Sequence, residues 1–193
     1  MADSLGDKFH IFPKVTLKVD NFESCGPILD IGGGGEGVIG QLKGAPVIAV
    51  DNRREELEEA ADGFVKIVMD ARSLGFLDAS FSTATAFFSM MYVHDEEDQR
   101  CIIDEVRRIL RPGGLFHLWD IDLSVKPQTE KEYFLLPISY GIGTKWTDTA
   151  YGQAWPLEAR GPEYYSELLA DRGFSAEAKG RTANTFYLRS RRL

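Results

Sequence analysis

The sequence predicts an α/β fold of the Rossmann-like, doubly wound kind: a mostly parallel seven-stranded sheet, helices on both faces and a closing antiparallel strand. Continuous apolar runs at residues 45–50 and 64–69 are typical of parallel strands covered on both sides. These runs alternate with helical patterns, of which the clearest has Ile102, Ile103 and Val106 on one face. Such alternation indicates parallel strands joined by right-handed crossovers.

The predicted elements follow this rhythm along the chain. Residues 1–8 are expected to be a loose terminus and residues 15–19 a short strand, before a first core strand at residues 27–31. Further strands are expected at residues 45–50, 64–69, 83–88 and 115–121, and a closing antiparallel pair at 174–178 and 185–188. Helices are expected from the glycine-rich stretch to residue 42, at 53–61, from Asp95 to about 110 and from Pro162 to Gly173.

Helix ends are predicted from local chemistry. Asn52 is expected to cap the second helix, with Glu55 as its capping-box partner. Residues 111–114, Arg-Pro-Gly-Gly, should end the longest helix sharply.

Residues 123–160 break the alternation. They are rich in Tyr, Trp, Gly and Pro, and we interpret them as an insertion into a single domain that spans residues 1–193. A long irregular segment in a compact domain is usually functional, so we expect a cover over the substrate site. The alternative is a homodimer contact, because aromatic residues are also enriched at interfaces. If the segment is a cover, replacing residues 130–156 by a short linker should spare cofactor binding but abolish activity.

Composition excludes several functional classes. The 193 residues carry a formal net charge of −8, which argues against a nucleic-acid partner held by a basic stripe. Two cysteines indicate neither a disulfide framework nor a zinc site. Asp120 and Asp122 end a strand without further ligands nearby, so no metal is predicted. No leader or membrane-length apolar run is visible, and a cytoplasmic protein with no membrane association is expected.

The glycine-rich stretch at residues 28–37, ILDIGGGGEG, carries the main functional signal. A strand that breaks into glycines and resumes as a helix lets the backbone approach a ligand where a Cβ atom would collide. It also presents free N–H groups at the helix start. Asp30 adds a negative charge at the end of the strand. This pattern predicts a site for a nucleoside-type cofactor.

Four segments in order resemble the class I S-adenosylmethionine-dependent methyltransferases in their small generic, methyltransferase domain 11-like form. They are ILDIGGGGEG, AVDNRREEL, MDA and IIDEVRRILRPGGLF. One departure is Glu36, which stands where the family pattern has its third glycine. The resemblance implies S-adenosyl-L-methionine as cofactor and methyl transfer to a small-molecule acceptor. The motif that many nitrogen methyltransferases carry after the fourth strand is absent. This absence disfavours nucleic-acid bases and protein amides as methyl acceptors.

The resemblance also implies roles by position. Asp30 would lie near the methionine amino group, Asp51 would accept both ribose hydroxyls, and Asp70 would bind the adenine amino group. The full predicted cofactor set is Asp30, Gly32, Gly33, Gly34, Gly37, Asp51, Asn52, Asp70, Ala71 and Ser89. His94 is the one candidate for a catalytic base, and its alternative is a surface residue at a helix start.

Two other functions stay open at this point. Gly32, Gly34 and Gly37 also satisfy GxGxxG, with Asp51 at a suitable distance for an NAD(P)-dependent oxidoreductase. Against this, the negative charge of a pyrophosphate would be unfavourable beside the carboxylates of Asp30 and Glu36. The alternative interpretation of Glu36 is an acidic residue in the first turn of the following helix. The third function is a cofactor-binding module without catalysis.

Overall fold

The computed structural model describes residues 8–193. In chain order the strands are β1 (Phe9–Ile11), β2 (Val15–Lys18), β3 (Ile28–Ile31), β4 (Val47–Asp51), β5 (Val65–Val68), β6 (Phe81–Phe87), β7 (Leu110–Ile121), β8 (Tyr133–Ile142), β9 (Lys145–Ala154), β10 (Phe174–Thr182) and β11 (Thr185–Arg192). The helices are α1 (Val38–Lys43), α2 (Arg54–Glu59), α3 (Glu96–Ile109) and α4 (Pro162–Asp171), with a 3-10 turn at Met90–Tyr92.

The main sheet has seven strands in the order β10-β11-β7-β6-β3-β4-β5. The five strands from β7 to β5 are parallel, and β11 and β10 close the sheet antiparallel to them. This confirms the predicted mixed sheet. The chain proceeds from β3 to β4 on one side and later returns to β6 on the other, so the carboxyl end of β3 lies at a topological switch point, where such sheets bind ligands.

The two faces of the sheet are covered differently. On one face, α3 and α4 bury Ile103, Val106 and Tyr165 against the strands. On the other face, α1 shares the cover with a second, four-stranded sheet, whose Phe134 and Ile138 have no exposed surface. The burial of apolar side chains between the two sheets makes the second sheet part of the core.

The second sheet is built around β8. Strands β1 and β2 pair in parallel with successive halves of β8, and β9 pairs antiparallel along its whole length. The segment expected to be an irregular insertion is therefore a long regular hairpin, and it joins the amino-terminal strands. Alternating residues predict β2, whereas no pattern predicts β1.

Two boundary predictions need correction. Strand β7 begins at Leu110 rather than at residue 115, because residues 111–114 form a bulge within it. The bulge lies between two pairs, Phe81 with Leu110 and Thr83 with Leu115, and the positive φ of Gly113 (75°) accommodates it.

Asn52 does not cap α2. The helix begins after Arg53, which makes no side-chain capping bond, and the Asp51 carboxylate accepts the Arg53 N–H at 2.9 Å instead. Asp95, the predicted start of the longest helix, is the cap residue of α3, because its side chain accepts the main-chain N–H groups of Glu97 and Asp98.

Other bounds differ by a few residues. The closing pair runs further than expected, with β10 to Thr182 and β11 to Arg192. The predicted loose terminus falls largely outside the described residues. None of the helices in the described part of the chain is both long and apolar enough to span a membrane.

Candidate functional site

A cleft of about 1080 Å³ lies at the carboxyl edge of the parallel strands. Asp30 and Asp51 belong to the ends of the neighbouring strands β3 and β4, and Asp70 follows β5. All three line this cleft together with residues 32–35. The structure thus brings the three predicted acids and the glycine loop to one place.

The first three glycines pack too tightly to carry side chains. A Cβ atom on Gly32 would lie 2.4 Å from that of Ser89. One on Gly33 would lie 2.6 Å from the Asp30 carboxylate, and one on Gly34 would lie 2.9 Å from the Asp51 carboxylate. The N–H groups of Gly32 and Gly33 bond to the Val50 carbonyl at 2.8 and 3.2 Å, which fixes the loop over β4. The loop therefore forms a smooth backbone wall beside both acids.

Gly37 has a different place from the one predicted. It is buried outside the cleft lining, at the start of α1, with φ of 55°. A Cβ atom there would lie 2.9 Å from the Phe64 ring. Its function in the structure is to turn the chain into the helix against Phe64, and the cleft is lined instead by Gly35 and Glu36.

Asp30 is almost fully buried, with 2% of its surface exposed. Burial raises the pKa of its carboxyl group to about 7, although the hydrogen bond from the Thr85 hydroxyl (2.7 Å) acts in the opposite direction and Asp51 adds to the rise. No ion pair with Asp30 is found within residues 8–193. This leaves a buried carboxyl group beside the glycine loop that a bound cation would compensate.

Asp70 is held in place by its neighbour. The Arg72 guanidinium contacts its carboxylate at 2.6 to 3.0 Å and reaches on to Asp98 at 2.9 Å. These bonds hold the pKa of Asp70 below its usual range. The predicted set did not contain Arg72, although it stands two residues after Asp70 and both line the cleft.

The remaining predicted cofactor residues also line the cleft. Asn52 and Ala71 lie beside Asp51 and Asp70 on its rim. Ser89 has a structural bond as well, because its hydroxyl donates to the Ile31 carbonyl at 2.7 Å. It follows Phe88, whose φ of 51° is unusual for a bulky residue. This conformation lies where β6 turns into the wall of the cleft.

The cleft continues from the loop towards the long hairpin. Tyr92 and His94 line it after β6, and Ala150, Tyr151 and Gly152 of β9 line it from the opposite sheet. His94 is exposed, and its main-chain carbonyl accepts a bond from the buried Arg160. The hairpin thus contributes to the cleft at its edge.

Glu36 connects the glycine loop to this hairpin. Its carboxylate accepts hydrogen bonds from the Thr149 and Tyr151 hydroxyls, the latter at 3.1 Å. Tyr151 also stacks on Phe88, with 4.9 Å between ring centres and nearly parallel planes. Helix α1 begins at Val38, so the alternative interpretation of Glu36 as a first-turn helix acid is wrong. These partners are more than a hundred residues away in sequence, and no local pattern indicates them.

A second buried acid lies behind the cleft. Asp120, near the end of β7, is 1% exposed, and this burial raises its pKa to about 7. Hydrogen bonds from the Ile121 and Met91 N–H groups and the charge of Arg160 act against the rise. Arg160 donates to the Val93 carbonyl and so helps to fix the chain after β6. These residues support the wall of the cleft from behind.

Comparison with known proteins gives this geometry a context. A family model described as a methyltransferase domain matches residues 29–118, the part that holds all three acids and the glycine loop. The chain is 26% identical over 165 residues to the sterol 4-C-methyltransferase strm-1 of Caenorhabditis elegans, an alignment that covers 76% of this chain and 48% of that protein. The chain therefore spans about half the length of this curated relative.

Solved structures share the fold. A methyltransferase from Methanosarcina mazei has a TM-score of 0.64 at 23% identity, and one from Mesorhizobium loti has 0.61 at 16%; each match covers 89% of this chain and 94% of the other. The glycopeptide N-methyltransferase MtfA, solved with S-adenosyl-L-homocysteine, has a TM-score of 0.56 at 18% identity. This match covers 89% of this chain and 84% of the MtfA chain. At these identities the likeness establishes the fold.

Proposed function

Because the chain contains a class I S-adenosylmethionine-dependent methyltransferase domain, we propose that it transfers the methyl group of S-adenosylmethionine to a small-molecule acceptor. The observation that carries this proposal is the meeting of Asp30, Asp51 and Asp70 with the glycine loop in one cleft. Three carboxylates at the ends of adjacent strands suit a ligand with an ammonium group and several hydroxyl and amino donors.

The residues present fit such a cofactor. The loop offers backbone surface with no room for side chains at residues 32–34, as an approaching ligand requires. Asp30 supplies a buried carboxyl group that a cationic amino group would compensate. Asp51 offers two acceptor oxygens to a ribose, and Asp70, held by Arg72, offers acceptors to an adenine amino group.

The same features disfavour a nicotinamide dinucleotide. Its pyrophosphate would meet the Asp30 and Glu36 carboxylates, and the first turn of α1 carries no basic side chain that would offset them. Gly37, the last glycine of the GxGxxG pattern, lies against Phe64 outside the cleft. We therefore assign the loop to a cofactor that carries positive charge and no phosphate.

The proposed acceptor lies between the loop and the hairpin. This part of the cleft is bounded by Tyr92 and His94 on one side and by Tyr151 on the other. A cleft enclosed by two sheets suits a compact molecule better than an extended polymer. The names of the sterol and glycopeptide relatives support methyltransferase chemistry and differ in acceptor, so they do not select one.

In the proposed reaction the chain works by positioning. The bound cofactor supplies a methyl group that its sulfonium already activates. The glycine loop and the three acids hold the donor, and Tyr92 and Tyr151 hold the acceptor in line and exclude water. His94, which lines the cleft, is the candidate to accept a proton if the acceptor carries one on its nucleophilic atom.

The test of cofactor choice is ligand-induced stabilisation. At 100 times its Kd, a ligand raises the free energy of unfolding by ~2.7 kcal/mol. For a chain of this length that is a rise in melting temperature of roughly 5–10 °C. We expect this shift with S-adenosylhomocysteine and none with NAD. A shift with NAD alone would overturn the proposal.

A matched pair of variants assigns the binding to the cleft. Asp51→Ala removes the acceptor of two proposed hydrogen bonds, each worth about 1.5–3 kcal/mol to a charged group. Affinity for S-adenosylhomocysteine, measured by calorimetry, should fall at least tenfold in this variant. Asp62→Ala, at a fully exposed carboxylate that does not line the cleft, should bind like the wild type. Unchanged affinity in a folded Asp51→Ala protein would count against the assignment.

A further inference from the structure

A second cavity, of about 580 Å³, lies beside strands β7 and β11. Alternate residues of β7 line it, together with residues of β11 and of the turn from β10. The opposite wall consists of the end of β2 and the segment from there towards β3, at residues 17, 18 and 20–23. It shares no lining residue with the cleft described above. Its function therefore does not depend on the proposed methyl transfer.

The floor of this cavity is a row of flat rings. Phe22 stacks on His117 with 4.5 Å between ring centres, and His117 stacks on Trp119 at 5.8 Å. Trp119 in turn lies 4.8 Å from Tyr187. Such a row offers a face to another planar ring, because aromatic groups pack well in offset stacks.

His117 in the middle of this row is incompletely bonded. It is 1% exposed, and its Nδ1 atom lies 2.9 Å from the Tyr187 hydroxyl. Within residues 8–193 its Nε2 atom has no hydrogen-bond partner. Burial and the charge of Arg189 lower its pKa to about 4, so the ring is neutral near pH 7. A buried polar atom without a partner is unusual in a folded protein and asks for an explanation.

Phe22 is the residue that stacks on the His117 ring. Its ring is only partly buried, and it lies between β2 and β3 in a segment without regular secondary structure. The segment is held by contacts of its main chain and of Asn21 with Lys43. The Lys43 ammonium also lies 4.7 Å from the centre of the Phe22 ring, so a ligand ring that takes its place would have to replace this contact and the stack on His117.

The rim of the cavity carries charges of both signs. Lys18, Arg181 and Arg189 line it, against Asp20 and Glu23. The two arginines have carboxylate partners outside the cavity, in Glu163 and Glu177. Lys18 is the least engaged, since its ammonium lies 3.9 Å from the Asp20 carboxylate and is mostly exposed. Lys18 is therefore the lining cation best placed to pair with an anionic group of a ligand.

We propose that this cavity is a second small-molecule site, for a flat aromatic ligand that carries an anionic group. The ligand ring takes the place of the Phe22 ring on His117, and the oxygens of its anionic group pair with the free Nε2 and with Lys18. The three features belong together, because the residues of the aromatic row, His117 with its unpaired nitrogen and Lys18 all line one cavity.

The test uses 2-naphthoate as the probe and calorimetric titration of the full chain. We expect binding in the micromolar to low millimolar range, with 2-naphthylmethanol at least several-fold weaker and 2-naphthylmethylammonium weaker still. His117→Phe keeps a ring and removes the nitrogen, and should lower naphthoate affinity at least tenfold. Phe22→Ala vacates the place of the ligand ring and should raise affinity. Asp51→Ala in the other cleft should leave naphthoate binding unchanged.

Each contrary result overturns the proposal. No naphthoate binding up to millimolar concentration would do so, as would equal binding of the three probes or a loss of binding in Asp51→Ala with none in His117→Phe. If His117→Phe does not fold by circular dichroism, Lys18→Gln decides, because its side chain is 65% exposed. That variant should lose the preference for naphthoate over the alcohol, and a retained preference would contradict the assigned rim.

Discussion

Asp30 and Asp120 are two buried carboxyl groups whose pKa values are shifted in the same direction but whose surroundings differ. Burial raises the pKa of each to about 7. Asp120 has Arg160 nearby and bonds from main-chain N–H groups, and it lies behind the wall of the cleft. Asp30 lines the cleft itself and has no ion-pair partner within residues 8–193. Only Asp30 is therefore placed to exchange its proton for a cationic ligand.

This difference predicts the pH dependence of cofactor binding. Without ligand, Asp30 is mostly protonated below pH 7, and the amino group of the cofactor favours the ionised form. Affinity for S-adenosylhomocysteine should therefore rise about tenfold from pH 6 to pH 8, as expected for one group with a pKa near 7. Calorimetry at several pH values measures it. Asp30→Asn should flatten the dependence, whereas Asp120→Asn should keep it.

The Asp30 proton also makes the stability of the fold depend on pH, in a direction that its pKa determines. The pKa of Asp30 is about 7 in the folded chain and its ordinary value is 3.8, so the folded state holds a proton that the unfolded state has lost between these pH values. The stability contributed by the protonated form is lost as pH rises towards 7. In denaturant titrations, wild type should lose stability relative to Asp30→Asn from about pH 4 to pH 7. A difference that grows in the opposite direction would contradict a buried Asp30.

At the scale of elements, the site divides into a part that local sequence predicts and a part that it does not. The glycine loop and the acids at strand ends are local patterns, and Asp30, Asp51 and Asp70 all line the predicted cleft. The partners of Glu36 stand 113 and 115 residues away on β9. Such pairing depends on how two sheets pack, so a single sequence carries no periodic signal for it.

The hydrogen bond between Glu36 and Tyr151 predicts that removal of the Tyr151 hydroxyl loosens β9 locally. Tyr151→Phe keeps the stack on Phe88 and removes a hydrogen bond to a charged group, worth about 1.5–3 kcal/mol. Strand β9 should open more readily from the loop, so that amide hydrogen exchange at its loop-facing residues accelerates about tenfold or more. Mass spectrometry of peptides that cover residues 147–153 measures this.

A tyrosine elsewhere in the hairpin provides the control. Tyr133→Phe alters the start of β8, where the ring packs on Phe9, away from Glu36. Its exchange in β9 should match that of the wild type. Equal rates in wild type and Tyr151→Phe would show that Glu36 does not hold the hairpin.

At the scale of the whole molecule, the second sheet changes how the hairpin is understood. The strand–helix rhythm predicts the main sheet, but it cannot reveal that β1 pairs with β8 across more than 120 residues. Phe134 and Tyr140, expected in a substrate cover or dimer contact, are buried between the two sheets. Tyr151 is the aromatic residue of the hairpin that lines the cleft. A cover over the acceptor remains our proposal for the β9 side of the hairpin alone.

This architecture revises the expected effect of a truncation. A linker in place of residues 130–156 would remove β8 and β9 and leave β1 and β2 without their pairing partner. It would also expose the apolar face that α1 and the main sheet present to the hairpin. We now expect such a protein to lose its fold, so point substitutions are the suitable test.

The last prediction is that the two sheets unfold as one unit. Phe134 has no exposed surface, and it packs in the same cluster as Ile28 of β3 and Trp119 of β7. Phe134→Ala should cost about 3–5 kcal/mol, the range for an aromatic ring removed from a core. If the sheets are cooperative, circular dichroism and tryptophan fluorescence should give coincident denaturant transitions, shifted to lower midpoint with unchanged slope. Leu135→Ala, at the neighbouring half-buried position, should cost clearly less. Two separate transitions in Phe134→Ala would mean that the second sheet is an independent layer, and the hairpin would then be free to move over the acceptor without the rest of the fold.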